Sequence, residues 1–177
     1  MSLRHALLGL LADRPASGYD LAKRLESSAG FAWSAKHTQI YPELNRLADG
    51  GLVEVAAEGA RGRKEYRITD AGRAEVRRWL RETTPDRTQR DDSLLRVFFL
   101  WLLEPDEAAA FLRSEADVYR SFHQRLRELD AAIAWDLDDP SDLYGRLALE
   151  RGLRTSDALA GWADWAAGQV SAPHPPG

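Results

Sequence analysis

In the stretch Trp33-Ser34-Ala35-Lys36-His37-Thr38-Gln39-Ile40-Tyr41-Pro42-Glu43-Leu44, hydrogen-bonding side chains precede and flank an apolar stripe. Ile40, Leu44 and Leu47 recur at i, i+4 and i+7, the spacing of one buried helix face. Ser34, Lys36, His37, Thr38, Gln39 and Tyr41 therefore gather at the head of a helix, where a recognition helix presents side chains to the major groove. Lys36 can reach a phosphate or guanine, and Gln39 can pair with the adenine edge. We expect this helix to start at Ser34, which puts Pro42 inside it, removes one hydrogen bond and should kink it. A second group, Arg61, Arg63 and Lys64, places three cations on a glycine-bearing turn, chemistry suited to phosphate or minor-groove contact.

Other chemistry finds little support. The four histidines, His5, His37, His123 and His174, lack zinc spacing, and no hydrolase, zinc-protease, dinucleotide or P-loop motif occurs. Asp136-x-Asp138-Asp139-Pro140-Ser141-Asp142 tempts a calcium reading, but it lacks the glycine of that loop and has Leu147 where the closing Glu belongs. We read it as a capped turn between helices. No catalysis, cofactor or metal is expected.

The elements that must hold these groups are well punctuated. Ser2 caps a first helix with Leu3, Leu7, Leu10 and Leu11 at helical spacing, ending before Pro15. Ser17-Gly18-Tyr19-Asp20 is a capping box opening a second helix to about Ser28, its inner face Tyr19, Leu21, Ala22 and Leu25. The third helix stops at Gly50-Gly51, a left-handed terminus. Leu52–Val55 and Glu65–Ile68 flank the basic turn as a hairpin. Thr69 and Asp70 cap a fourth helix with Val76, Trp79 and Leu80 on one face. Helix-turn-helix followed by a basic two-stranded wing is a winged helix.

After Thr83-Thr84-Pro85 the chain should be all helix: one helix from Asp91 to Leu103, one from Pro105-Asp106-Glu107, and one from Asp139-Pro140. The second carries Phe111, Val118, Phe122, Leu126, Leu129, Ile133 and Leu137, a stripe like a coiled-coil seam. The last carries Leu143, Leu147, Trp162 and Trp165. We therefore expect a mainly α chain in two domains, a winged helix over 1–82 and a helical dimerisation and effector domain over 83–170, with a disordered tail at 171–177.

The composition fits. A chain of 177 residues buries about 70% of its unfolded surface on folding, enough for a core without cysteine, of which there is none. The net charge of −4 hides a split: residues 1–82 carry 14 Lys/Arg against 11 Asp/Glu, and residues 83–177 carry 10 against 17. Such asymmetry hints at nucleic-acid contact by the basic half. The apolar run Ala6–Ala12 after Arg4 and His5 has no small-residue cleavage site, and Leu94–Leu103 is short of the roughly 20 residues of a membrane span. A cytoplasmic location is expected, and the preference for Arg, with abundant Ala, suggests a G+C-rich bacterial genome.

Ile40-Tyr41-Pro42-Glu43-Leu44-Asn45-Arg46-Leu47 followed by Gly50-Gly51-Leu52-Val53, then Arg63-Lys64-Glu65-Tyr66-Arg67-Ile68-Thr69-Asp70-Ala71-Gly72, carry a family likeness. With Leu7-Leu8-Gly9-Leu10-Leu11 and Ser17-Gly18-Tyr19-Asp20-Leu21, they make the sequence resemble the PadR-like transcriptional regulators, the larger subgroup with a long helical C-terminal region. The motifs cover about residues 3–80; beyond, only the helical layout matches. Glu65 departs from the family, which commonly has an aromatic or other polar residue there.

The resemblance implies a homodimeric DNA-binding repressor with Tyr19, the Lys36–Tyr41 stretch and the wing cations on a pseudo-palindromic operator. It also implies response to a small, often aromatic, effector. Leu94–Leu103 is apolar around nearly its whole circumference and needs cover from a second subunit. Leu95, Phe98, Phe99, Leu102, Phe111, Val118, Phe122, Leu126 and Leu129 are the expected dimer surface. Trp101, Trp162 and Trp165 are the candidate effector pocket. Two alternatives stand beside this reading: a winged-helix protein–protein module that has lost DNA contact, and an enzyme of unrecognised type.

Overall fold

The computed structural model describes residues 3–27, 37–58, 63–86 and 91–171, with backbone only for Glu26, Ser27, His37 and Thr38. The chain divides into two compact units, Met1–Arg87 and Thr88–Gly177.

The first unit runs α1 (Leu3–Asp13), β1 (Ala16–Ser17), α2 (Gly18–Ser27), α3 (His37–Asp49), β2 (Val53–Glu58), β3 (Lys64–Ile68) and α4 (Asp70–Glu82). This is the expected winged helix-turn-helix, with one addition. The sheet has three strands in the order β1-β3-β2, not two, because Ala16 and Ser17 pair antiparallel with Tyr66 and Glu65. Two residues show no alternation, so no strand was expected there. The core takes Leu7, Leu8 and Leu11 from α1, Leu21, Ala22 and Leu25 from α2, and Ile40, Leu44 and Leu47 from α3. Val53, Tyr66 and Ile68 close it from the sheet. Two expected inward residues are not inside. Tyr19 is exposed, and so is Leu80, 100° round the helix from Trp79.

Local chemistry explains the boundaries. Ser17 and Asp20 form the expected capping box: Asp20 N–H donates to Ser17 Oγ at 3.2 Å, and Ser17 N–H to Asp20 Oδ2 at 3.4 Å. α3 ends in a Schellman turn, with Leu52 N–H on Leu47 C=O, Gly51 N–H on Ala48 C=O, and Gly51 at φ +67°. Thr69 Oγ1 caps α4 by accepting from Gly72 N–H and donates to Gly51 C=O at 2.7 Å. Gly72 lies so close to Leu52 that an added Cβ would sit 2.1 Å from its carbonyl oxygen. Between α1 and α4, the His5 ring stacks on Trp79 at 4.7 Å and its Nε2 lies 3.1 Å from Glu75 Oε1.

The second unit runs α5 (Asp92–Val97), a 3-10 turn (Leu100–Leu102), α6 (Pro105–Ala132) and α7 (Pro140–Ser171). The single helix expected from Asp91 to Leu103 is broken. α5 ends at Val97, two bulky aromatics of modest helix propensity, Phe98 and Phe99, follow, and the chain tightens into the 3-10 turn. α6 begins as expected, with Pro105 in the first turn and a reciprocal Glu104–Glu107 capping box. It ends sooner, at Ala132 with Ile133 as the extended cap, so Leu137 is off the helix and exposed.

α6 and α7 pack antiparallel: Arg120 meets Asp164, His123 meets Ser156, and Asp130 meets Arg146. Their shared seam takes only Leu126 from the large-residue stripe. It is built from Ala108, Ala109, Leu112, Ala116 and Leu126 on α6 and Leu149, Leu153, Ser156, Ala160, Ala163 and Ala167 on α7. Small side chains let the two backbones approach closely and leave most large ones on other faces. The acidic turn is a capped reversal as expected: Ser141 N–H donates to Asp139 and Asp136 N–H to Asp142. The expected tail lies outside the described residues except Ser171, which closes α7.

Candidate nucleic-acid interface

α2 and α3 carry the side chains that face away from the core of the first unit. With Ile40, Leu44 and Leu47 turned inward, Gln39 and Tyr41 are left exposed on α3, and Tyr19 is 62% exposed on α2. Ser34, Lys36 and Arg61 lie outside the described residues, as do the side chains of His37 and Thr38. The described part of α3 begins at His37 and contains Pro42, as expected; any start at Ser34 falls outside it. Pro42 is solvent-exposed, on the face where a missing N–H and a local bend disturb the core least.

The head of α2 is the junction of this surface. The Tyr41 ring packs on Gly18 so tightly that a Cβ there would lie 2.6 Å from Cε1. Two residues on, Asp20 reaches the wing. Arg63 Nη2 donates to Asp20 Oδ2 at 2.6 Å and to Ser17 Oγ at 3.3 Å, and Ser17 Oγ itself donates to Asp20 Oδ2 at 2.6 Å. The Ser17 hydrogen bond first, and the Arg63 bond after it, hold the Asp20 carboxyl below its ordinary value. Ala16 and Ser17, paired to β3, fix the same segment from the sheet side. Residues 16–20 thus tie together α2, α3 and the wing.

Two further described cations of the wing strands also have partners. Lys64 Nζ is 3.9 Å from Glu58, and Arg67 Nη2 is 2.5 Å from Glu54. Beneath them, Tyr66 is buried, which raises its hydroxyl above the usual tyrosine range, and Tyr41 adds to the effect. Sequence spacing placed Asp20 as a cap and Arg63 as a phosphate donor. The 43 positions that separate them carry no periodic signal that could have joined them.

In the second unit, Leu95, Phe98, Phe99, Leu102 and Val118 are exposed, Phe98 to 69%. Phe111, Phe122 and Leu129 are half-buried, and Leu126 is enclosed within the chain at 3%. A groove of about 780 Å³ within this unit is lined by Val97, Trp101, Leu103, Leu112, Trp165 and Gln169 among others. Trp101 and Trp165 therefore share a cavity, and Trp162 is not part of its lining. Among the described residues no group of His, Asp or Glu has the arrangement of a metal site. No helix there is long and apolar enough to cross a membrane.

Comparison with known proteins agrees with this geometry. Residues 7–78 match the transcriptional regulator PadR-like family, and residues 89–171 match the C-terminal region of the virulence activator alpha family. The chain is similar to the negative transcriptional regulator PadR of Bacillus subtilis, 36% identical over 117 residues that span 64% of this chain and 64% of that protein. It is 32% identical to a probable transcriptional regulator of Mycobacterium tuberculosis, over 93% of this chain and 95% of that one. Among solved structures, Bacillus subtilis PadR in complex with operator DNA superposes with a TM-score of 0.84 at 28% identity, covering 96% of this chain and 99% of that one. The virulence activator AphA of Vibrio cholerae does so at 0.77 and 30% identity, covering 96% and 98%. Matched across both of its units by relatives that are regulators and not enzymes, the chain belongs to the PadR-like family of transcriptional regulators.

Proposed function

We propose that this chain is a sequence-specific, homodimeric DNA-binding repressor, relieved by a small aromatic effector. The observation that carries the reading is the solvent-facing set Tyr19, Gln39 and Tyr41, held over a buried helix face and flanked by the wing. Ser34, Lys36, His37, Thr38 and Arg61 complete the proposed contact from the same two segments. The structural likeness to a PadR bound to operator DNA supports this role. Two such heads, one per subunit, would enter major grooves about 34–36 Å apart on one duplex face. Repression is favoured over activation by the relative named as a negative regulator. Bacillus subtilis PadR has also been solved with p-coumaric acid, which supports an aromatic effector here. Trp101 and Trp165 in the groove of the second unit are the candidate contacts, and the site of action is the cytoplasm. Fluorescence anisotropy with the duplex upstream of the protein's own gene, titrated across salt, tests the reading. Tight binding to that duplex with a steep salt dependence supports it; binding that is absent at low salt, or indifferent to sequence, overturns it.

A further inference from the structure

Arg63 is held through one nitrogen only. Nη2 makes the bonds to Asp20 and Ser17, while Nε and Nη1 make no hydrogen bond among the described residues, and the side chain is 63% exposed. A guanidinium carries five donors in a rigid fork. Anchoring it through Nη2 leaves the Nη1 and Nε donors of a largely exposed side chain uncommitted. The surroundings make this placement specific. Arg63 lines a small cavity of about 210 Å³ with Ser17, Asp20, Ala57, Glu58 and Glu65. Of its three carboxylates, Asp20 is the one that Arg63 bonds. Asp20 is in turn fixed by the Ser17 hydroxyl and the start of α2, so the wing cation inherits the position of the helix-turn-helix.

We infer that Asp20 is a positioning residue, which fixes Arg63 at the head of α2 so that its uncommitted donors meet a phosphate of the DNA backbone. The inference rests on the DNA-binding reading above. It has a sign that simple electrostatics does not. A carboxylate beside a polyanion should repel it, so neutralising Asp20 ought to tighten binding. If Asp20 orders the cation, neutralising it must weaken binding, because DNA then has to immobilise a long, rotamer-rich side chain itself.

The test is a double-mutant cycle on the full chain with Asp20→Asn, Arg63→Gln and the pair, measured by anisotropy on the upstream duplex and on a mixed-sequence duplex of equal length. Asn keeps an acceptor for Ser17, and thermal melts confirm that each variant is folded. Asp20→Asn should weaken binding about three- to tenfold on both duplexes, the ordering cost of one such side chain. Arg63→Gln should weaken it and lower the salt slope by about one. In the Arg63→Gln background, Asp20→Asn should have no effect or a slightly favourable one. Unchanged or tighter binding by Asp20→Asn alone overturns the inference. So does an equal loss in both backgrounds, which would mean that Asp20 serves only as a helix cap. A wild-type chain that binds neither duplex overturns the DNA-binding reading itself, and this inference with it.

Discussion

Glu75 accepts a hydrogen bond from His5 and two from Arg78, and these donors, His5 first, hold its carboxyl below the ordinary glutamate range. Asp20 is lowered in the same direction by Ser17 and then Arg63. Both groups therefore take up protons more readily in the unfolded chain than in the folded one. Between about pH 5 and pH 3 the unfolded state binds more protons, so stability is present above the unfolded carboxylate values and drains away as acid is added. Glu75→Gln removes one such contribution. The variant should lose less of its thermal midpoint than the wild type between pH 6 and pH 3.5, as read by circular dichroism; parallel losses would show that the His5–Glu75–Arg78 set is without energetic weight. None of this was visible in the sequence, where His5, Glu75 and Trp79 are up to 74 positions apart and bear no shared motif.

Elements whose ends rest on bonds three or four residues long were legible. The Ser17 box, the Gly50-Gly51 stop, the Thr69 cap and the proline starts at Pro105 and Pro140 are local exchanges of a backbone N–H or C=O for a nearby partner, and all appear where the spacing put them. Elements decided by distant cover were not. β1 exists only because β3 lies beside it. The small-residue seam between α6 and α7 also escaped the sequence, since bulky side chains dominate any hydrophobicity pattern and alanines barely register. At the turn between α3 and β2, the two glycines of the contact have different reasons to be glycine. Gly51→Ala meets only the left-handed backbone and should cost about 1 kcal/mol. Gly72→Ala drives a Cβ into a backbone carbonyl that cannot rotate away, and should cost about 1–3 kcal/mol. Thermal melts of the two should rank Gly72→Ala lower; the reverse order would show that the Leu52 carbonyl yields.

For the molecule as a whole, the charge split follows the two units, and the −4 total says nothing about nucleic acid because contact depends on where cations stand. The exposed apolar run of the second unit bears on assembly. Phe98 and Leu102, both more than 60% exposed, are costly surfaces to leave in water. Wild-type protein should scatter light as about twice the 19.8 kDa chain at micromolar concentration, and Phe98→Asp should return it toward that single-chain mass. A wild-type mass of one chain refutes the dimer.

The alanine seam of α6 and α7 also governs how this protein can change over generations. Alanine is the strongest helix former, so drift toward glycine softens the helices by about 1 kcal/mol per site. Drift toward anything larger wedges them apart. The seam is trapped on both sides and should be the slowest-evolving part of the second unit, with any enlargement on one helix matched by a reduction on the other.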